Sequence, residues 1–261
     1  MKRKHTSNII LNDVFKVYFD FETSGQSRSR IVSIGFVSDD ATFQGELLMI
    51  PDVHIDYGAY GVHGYTHEKL LKEGAKSTQV QLRNFMESIE RIHRPVLMIA
   101  HNGKSFDTHV LRHAMVRYDV RMASNIIGFM DSLWFVRSAL NIKYASIDSL
   151  MERFWNDEPR NIHGALEDCK ILKRIVEHVI CITNIENALY FESADEFLVR
   201  TQKWESEEEI LKDLMDEMIY KIEKECKHVS YTSKFLDVDE KKCLCKCDNC
   251  SHWFLVTLDV L

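Results

Sequence analysis

Proline and glycine are scarce in this sequence, at 3 and 10 of 261 residues. Average usage is roughly 5% and 7%. The shortage excludes collagen-like chains and Pro/Gly-rich disordered segments. No apolar run approaches the roughly 18 residues of a membrane span; the longest near the middle is the short PVLMIA of 95–100. The opening MKRKHTSNIILNDVF is basic and then apolar, but Asn12 and Asp13 interrupt its apolar stretch, which is too short for a secretory signal. The expectation is an intracellular protein of cytoplasm or nucleus, with no membrane partner. Seven cysteines, an odd number, then argue against a disulfide framework. Internal repeats and low-complexity segments are absent as well.

What is present is a globular composition, 45% hydrophobic and 28% charged. The net charge of −7 is unevenly spread: residues 1–183 sum to +1 and residues 184–261 to −8. Such a balance argues against coating nucleic acid by bulk charge. It leaves open an enzyme that grips a few nucleotides at metal ions. A boundary between a domain of 1–183 and an acidic appendage of 184–261 is expected.

Residues 14–21, 31–37 and 42–50 read as three strands of an antiparallel meander. Residues 66–93 read as mostly helical with a break near Gly74, and 95–100 as a buried strand. Residues 105–118 fit a helix with Ser105 as its N-cap; Phe106, Val110, Ala114 and Tyr118 repeat along one face. A short strand at 126–130 and helices near 131–140, 146–155 and 164–183 follow. The order predicts an α/β fold, a mixed central sheet flanked by helices. In the appendage, 205–225 reads as an amphipathic helix with acids at its start. A cysteine-rich loop and an apolar tail, HWFLVTLDVL, follow it.

Chemistry is suggested by the acids of the first part. Asp20 and Glu22 lie two apart at the end of a strand, so both carboxylates project to one side. Two like charges there are costly unless a cation sits between them, and carboxylate oxygens suit Mg²⁺ or Mn²⁺. A solvated strand end is the plainer alternative. Asp107 opens a helix after the loop HNGKS, a place where sites collect, although acids also favour first helical turns for structural reasons. Asp168 lies inside an apolar helical pattern, where an acid needs a partner. It shares a stripe with Gly164, which suggests a close approach at that glycine. His163 precedes the same helix, whose positive end favours neutral imidazole able to accept a proton. With 12 histidines in the chain, one alone says little.

Taken in order, DFETSG at 20–25, HNGKSFD at 101–107 and HGALEDC at 163–169 resemble the motifs of the DEDDh, DnaQ-like, 3′–5′ exonucleases. VHGYTHEKL at 62–70 resembles a further family segment. The resemblance covers about residues 14–183. It implies an RNase H-like fold and metal ligands at Asp20, Glu22, Asp107 and Asp168. It also implies a catalytic histidine at His163 and two Mg²⁺ or Mn²⁺ ions. The sequence departs from the family pattern after the threonine of the first motif, in SGQSRSR, and at Lys104 and Ser105.

The implied chemistry is hydrolysis of single-stranded or 3′-end nucleic acid from its 3′ end, releasing nucleoside 5′-monophosphates. Two metals suit an in-line displacement, and a neutral His163 suits proton abstraction. Substrate contacts are expected from Thr23, Ser24, His63, Tyr65, Asn102 and Lys104, with Arg28 and Arg30 as further phosphate contacts. Surface solvation explains these residues as readily. Phe21 alternates to the opposite face of the strand and is expected in the core. DNA is the first substrate reading and RNA the second. A catalytically idle nucleic-acid-binding adaptor is a third, weakened because all five positions are filled. A homodimer rests on analogy alone.

Cys243, Cys245, Cys247 and Cys250 form C-x-C-x-C-x-x-C, with His252 beyond and His228 before it. The CxxC half is a familiar part of a zinc site. Ligands this close in sequence would make a cramped site, and thiols without metal are the alternative.

Overall fold

The computed structural model describes residues 14–25, 30–156, 163–184 and 191–202, and the backbone of three strands at 231–237, 242–247 and 253–257. β1 (Phe15–Thr23), β2 (Ile31–Ser38) and β3 (Gln44–Ile50) form the expected meander. Short helices α1 (Tyr57–His63) and α2 (His67–Lys72) follow, then β4 (Lys76–Ser77) and α3 (Thr78–Glu90). The chain continues through β5 (Val96–Ala100), α4 (Asp107–Arg117), β6 (Ile126–Asp131) and α5 (Ser132–Leu140). Next come α6 (Ile147–Trp155), α7 (Ala165–Thr183), β7 (Glu192–Ser193) and α8 (Ala194–Arg200).

β1 to β7 make one mixed sheet in the order β4-β3-β2-β1-β5-β6-β7. β1 pairs antiparallel with β2 and parallel with β5, and β5 runs parallel to β6. The carboxyl ends of β1, β5 and β6 therefore share one edge, where ligands of open α/β sheets bind.

Alternation along β1 divides the interior. Phe15, Val17, Phe19 and Phe21 enter one cluster with Leu82, Phe85 and Ile89 of α3 and Leu111 of α4. Tyr18 enters the other with Leu172 and Val176 of α7. A fully buried aromatic or leucine in such a layer contributes about 1.5–3 kcal/mol. Phe21 is thus in the core, as its alternation predicts. β5 is buried at all five positions, which accounts for its unbroken apolar sequence.

The structure departs from the sequence reading in several places. α1 is an added helix in a segment whose two glycines weaken helical propensity. The helical stretch over 66–93 does break near Gly74, as expected: α2 and α3 flank this glycine, which takes φ +78°, a conformation that suits it. Ser105 does not cap α4. Phe106 holds the cap position without a side-chain bond, and Ser105 donates its N–H to the Asn102 carbonyl inside the preceding turn.

The core also runs past residue 183. β7 pairs with β6, and Phe197 of α8 is fully buried with its ring centroid 4.3 Å from that of Phe129. Residues 192–200, beyond the expected 183/184 boundary, thus pack on the same sheet. The amphipathic segment 205–225 lies outside the described residues. β8 (Tyr231–Asp237), β9 (Lys242–Cys247) and β10 (Trp253–Thr257) form a separate antiparallel sheet in the order β10-β9-β8. Cys243, Cys245 and Cys247 occupy alternate positions of strand β9, not a loop. Cys250, His228 and His252 lie outside the described residues.

Candidate active site

The acids converge at the carboxyl end of β1. Asp20, Glu22 and Asp168 each offer an oxygen, and these oxygens lie within 4.8 Å of one another. Glu22 and Asp168 are buried, while Asp20 is partly open. Strand alternation places the first two side by side, and the first turn of α7 brings the third over them.

That approach depends on Gly35. It pairs with Asp20 across β2. A Cβ built on it would meet the backbone of Ala165 and Leu166 inside the 3.0 Å that real Cβ atoms keep. The start of α7 therefore lies directly on the β2 backbone. Gly164, expected to allow a close approach, is instead the extended N-cap of α7, and a Cβ there meets nothing within 4 Å.

Asp107 reaches the site from α4, on the other side of the sheet. It is outside the three-oxygen cluster among the described residues. It is almost fully buried, and its Oδ1 has no hydrogen-bond partner. Burial pushes its carboxyl up to about 7, with repulsion from Asp131 and Glu22 acting the same way; the backbone N–H groups of Asp107 and Phe21 oppose the rise. The buried thiol of Cys169, one residue from Asp168, reports the same negative field. Burial raises its pKa first, then the charges of Asp20, Asp107, Glu46 and Glu22.

His163 stands just before α7, its Nδ1 3.2 Å from Asp168 Oδ2 and its side chain about one-third exposed, 33%. Its backbone N–H donates to the Val62 carbonyl at 3.0 Å. A carboxylate only accepts, so the tautomer that satisfies this contact carries the proton on Nδ1 and leaves Nε2 as acceptor.

The expected substrate contacts fall into two groups. Thr23 and Ser24 are buried, and their hydroxyls work within the hairpin. Thr23 donates to the Gly25 carbonyl at 2.9 Å, and Ser24 Oγ accepts from the Arg30 N–H at 2.9 Å. His63 is buried too: its Nδ1 accepts from the Tyr65 N–H and its Nε2 meets the Thr23 carbonyl at 3.1 Å. It is therefore a neutral strut between α1 and β1, and burial lowers its pKa. The Tyr65 hydroxyl donates to Glu46 at 3.2 Å, and Lys69 lies over its ring. Asn102 and Lys104 are exposed on the loop after β5. Asn102 takes φ +58°, and the Lys104 N–H donates to Asp131 at 3.0 Å.

Arg30 is held inside the fold. Its side chain is buried, with Nε 2.8 Å from Asp52, an acid also held by Arg117 and Tyr118. Arg28 lies outside the described residues.

Asp131, unremarked in the sequence reading, joins two parts of the site edge. One oxygen caps α5 through the Leu133 N–H, and the other holds the Lys104 loop. Aspartate at the end of a strand, just before a helix, is the available signal.

Three carboxylates with oxygens within 4.8 Å of one another, and the buried Asp107 besides, at the carboxyl edge of a parallel strand pair suit hard divalent cations. The comparisons agree with this geometry. The family model described as Exonuclease (RNase_T) matches residues 17–176, more than half of the chain, spanning the four acids and His163. Among solved structures, the zinc-bound complex of E. coli exonuclease I with single-stranded DNA aligns with a TM-score of 0.57 at 15% identity, covering 67% of this chain and 42% of that one. Exonuclease I with a dA16 oligonucleotide gives 0.55 at 12% identity, covering 76% and 45%. The likeness is one of fold, and the matched part spans less than half of exonuclease I. No curated protein matches the chain.

Proposed function

The chain belongs to the exonuclease family whose model matches residues 17–176, and from that premise we propose a metal-dependent 3′–5′ exonuclease that trims single-stranded DNA. The observation that carries this reading is the set of oxygens from Asp20, Glu22 and Asp168 within 4.8 Å, with His163 bonded to Asp168. Support for the strand chemistry comes from the fold shared with exonuclease I, whose structures hold single-stranded DNA.

Asp20, Glu22, Asp107 and Asp168 would hold two Mg²⁺ or Mn²⁺ ions. Such ions, when bound, offset the negative charge that develops on the attacking and leaving oxygens of an in-line displacement. The chain's own part begins with orientation. Asp168 fixes the His163 ring through Nδ1 and so directs Nε2 to take the proton of the attacking water. The partial exposure of His163 lets that proton pass to solvent. Asp107, buried behind β1, adds charge where cations gather. The Asn102–Lys104 loop, held by Asp131, offers an exposed ammonium to the phosphate backbone. The product is a nucleoside 5′-monophosphate.

The test uses 5′-labelled single-stranded DNA, duplex with a recessed 3′ end, and RNA of the same sequence, in Mg²⁺, Mn²⁺ or EDTA. The expected result is a ladder shortening from the 3′ end, absent in EDTA and in a folded Asp20→Ala variant. Faster loss of RNA than of DNA would transfer the substrate to RNA. An active Asp20→Ala protein would overturn the metal assignment, and binding without cleavage would favour an adaptor.

A further inference from the structure

Helix α1 carries a surface that its packing does not explain. Its sequence YGAYGVH includes Gly58 and Gly61, and glycine weakens a helix relative to alanine. Neither glycine takes positive φ, and a Cβ built on either meets nothing within 4 Å. They are needed neither for the backbone conformation nor for close packing. Their effect is to leave open space beside two rings. Tyr57 and Tyr60, three apart and so on one face, are 89% and 44% exposed, with centroids 6.4 Å apart. Val62 is also exposed.

This face is fixed relative to the acids. Ahead of Tyr57, the Asp56 N–H donates to the Ser24 carbonyl at 2.8 Å. At the other end, His63 bonds the Thr23 carbonyl, and the Val62 carbonyl accepts from the His163 N–H. One helix is thus tied both to the strand end that carries Glu22 and to the residue that stands beside Asp168.

We propose that Tyr57 and Tyr60 form a stacking platform for the bases of single-stranded nucleic acid that lie upstream of the nucleotide being cleaved. This rests on the exonuclease reading above and extends it to a second binding site. Neither ring belongs to the acid cluster, and the helix that carries both is anchored beside it, so the rings flank the cleavage position where nucleotides behind the terminal one would pass. Every base offers a π-face, so stacking is sequence-tolerant, as progressive trimming requires. Two rings and a valine are far short of the roughly 800 Å² per partner of a stable protein interface, which favours bases over a protein as the occupant.

The test compares KM for an octanucleotide and a dinucleotide of DNA, in wild type and in Tyr57→Ala/Tyr60→Ala. Losing a stacked base corresponds to roughly 5- to 150-fold in affinity. The octanucleotide is expected to have the lower KM in wild type, and the double variant to erase most of that advantage. Tyr→Phe at both positions retains it, while Tyr→Leu behaves as alanine does. An advantage that persists in the alanine variant overturns the proposal, as does full rescue by leucine, which would mark a general apolar contact. If wild type cleaves neither substrate, the exonuclease reading fails by itself. Anisotropy of a fluorescent octanucleotide in EDTA then decides the platform: weaker binding by the alanine variant supports it, and equal binding overturns it.

Discussion

Replacing Gly35 by alanine tests whether the acid cluster depends on how closely α7 lies on the sheet. The new Cβ would fall inside 3.0 Å of the Ala165 and Leu166 backbone. No flexible side chain can absorb this, because the opposing atoms are main chain. Restoring ordinary contact needs the start of α7 to retreat by about 1 Å. Overpacking of this kind costs about 1–3 kcal/mol, or a fall in Tm of about 2–12 °C for a domain of this size. Function suffers further, because Asp168 lies in the first turn of α7 while Asp20 stays on β1, opposite Gly35. A misplacement of about 1 Å can reduce a rate by about 100-fold. Thermal unfolding with and without Mn²⁺, together with the oligonucleotide assay, separates the two effects. The expected variant is folded and modestly less stable. It gains less Tm from Mn²⁺ than wild type does and loses most of its activity. A variant with wild-type activity and Mn²⁺ response would refute the dependence of the cluster on this contact.

Two further outcomes follow from the same structure. Phe197→Ala, outside the family-matched residues, is expected to lower stability by about 3–5 kcal/mol, because its ring is fully buried against Phe129. Urea unfolding measures it, and a loss below about 1 kcal/mol would show that α8 is not part of the core. Burial also lowers the pKa of His63, so the unfolded chain binds its proton more readily than the folded one. The stability that His63 contributes is present above about pH 6.5 and lost as pH falls through that value. Asp107, raised to about 7, acts in the opposite direction over part of this window. The quantity to measure is therefore the stability difference between wild type and His63→Asn from pH 7.5 to 5.5. It is expected to shrink as pH falls, and a constant difference would refute the buried neutral histidine.

The sheet was legible because its signals are local. Alternating aromatics in VFKVYFDF mark β1 with one face to each core, and an unbroken VLMIA marks a strand buried on both faces. α1 was hidden because it is held by long-range bonds from His63 to β1 and from His163 to Val62, not by helical propensity. α8 lay hidden within an acidic stretch. Its place depends on Phe197 meeting Phe129 and on Arg200 reaching Thr108, contacts between distant parts of the chain.

At the candidate site, the acids and His163 were readable from spacing and motif order, whereas the residues that place them were not. Strand period alone puts Asp20 beside Glu22. Bringing Asp168 to them requires α7 to lie on β2, and the residue that permits this is Gly35, not the glycine next to His163. For Arg30, Thr23 and Ser24 the sequence does not reveal the partners that the fold supplies. Asp52 holds the guanidinium, and the hairpin uses both hydroxyls. A polar residue near a cluster of acids is therefore free for substrate only if the fold leaves it unoccupied. By that criterion the exposed Lys104 and the rings of Tyr57 and Tyr60 are better candidates to meet a nucleic acid strand than the buried residues that flank the first motif.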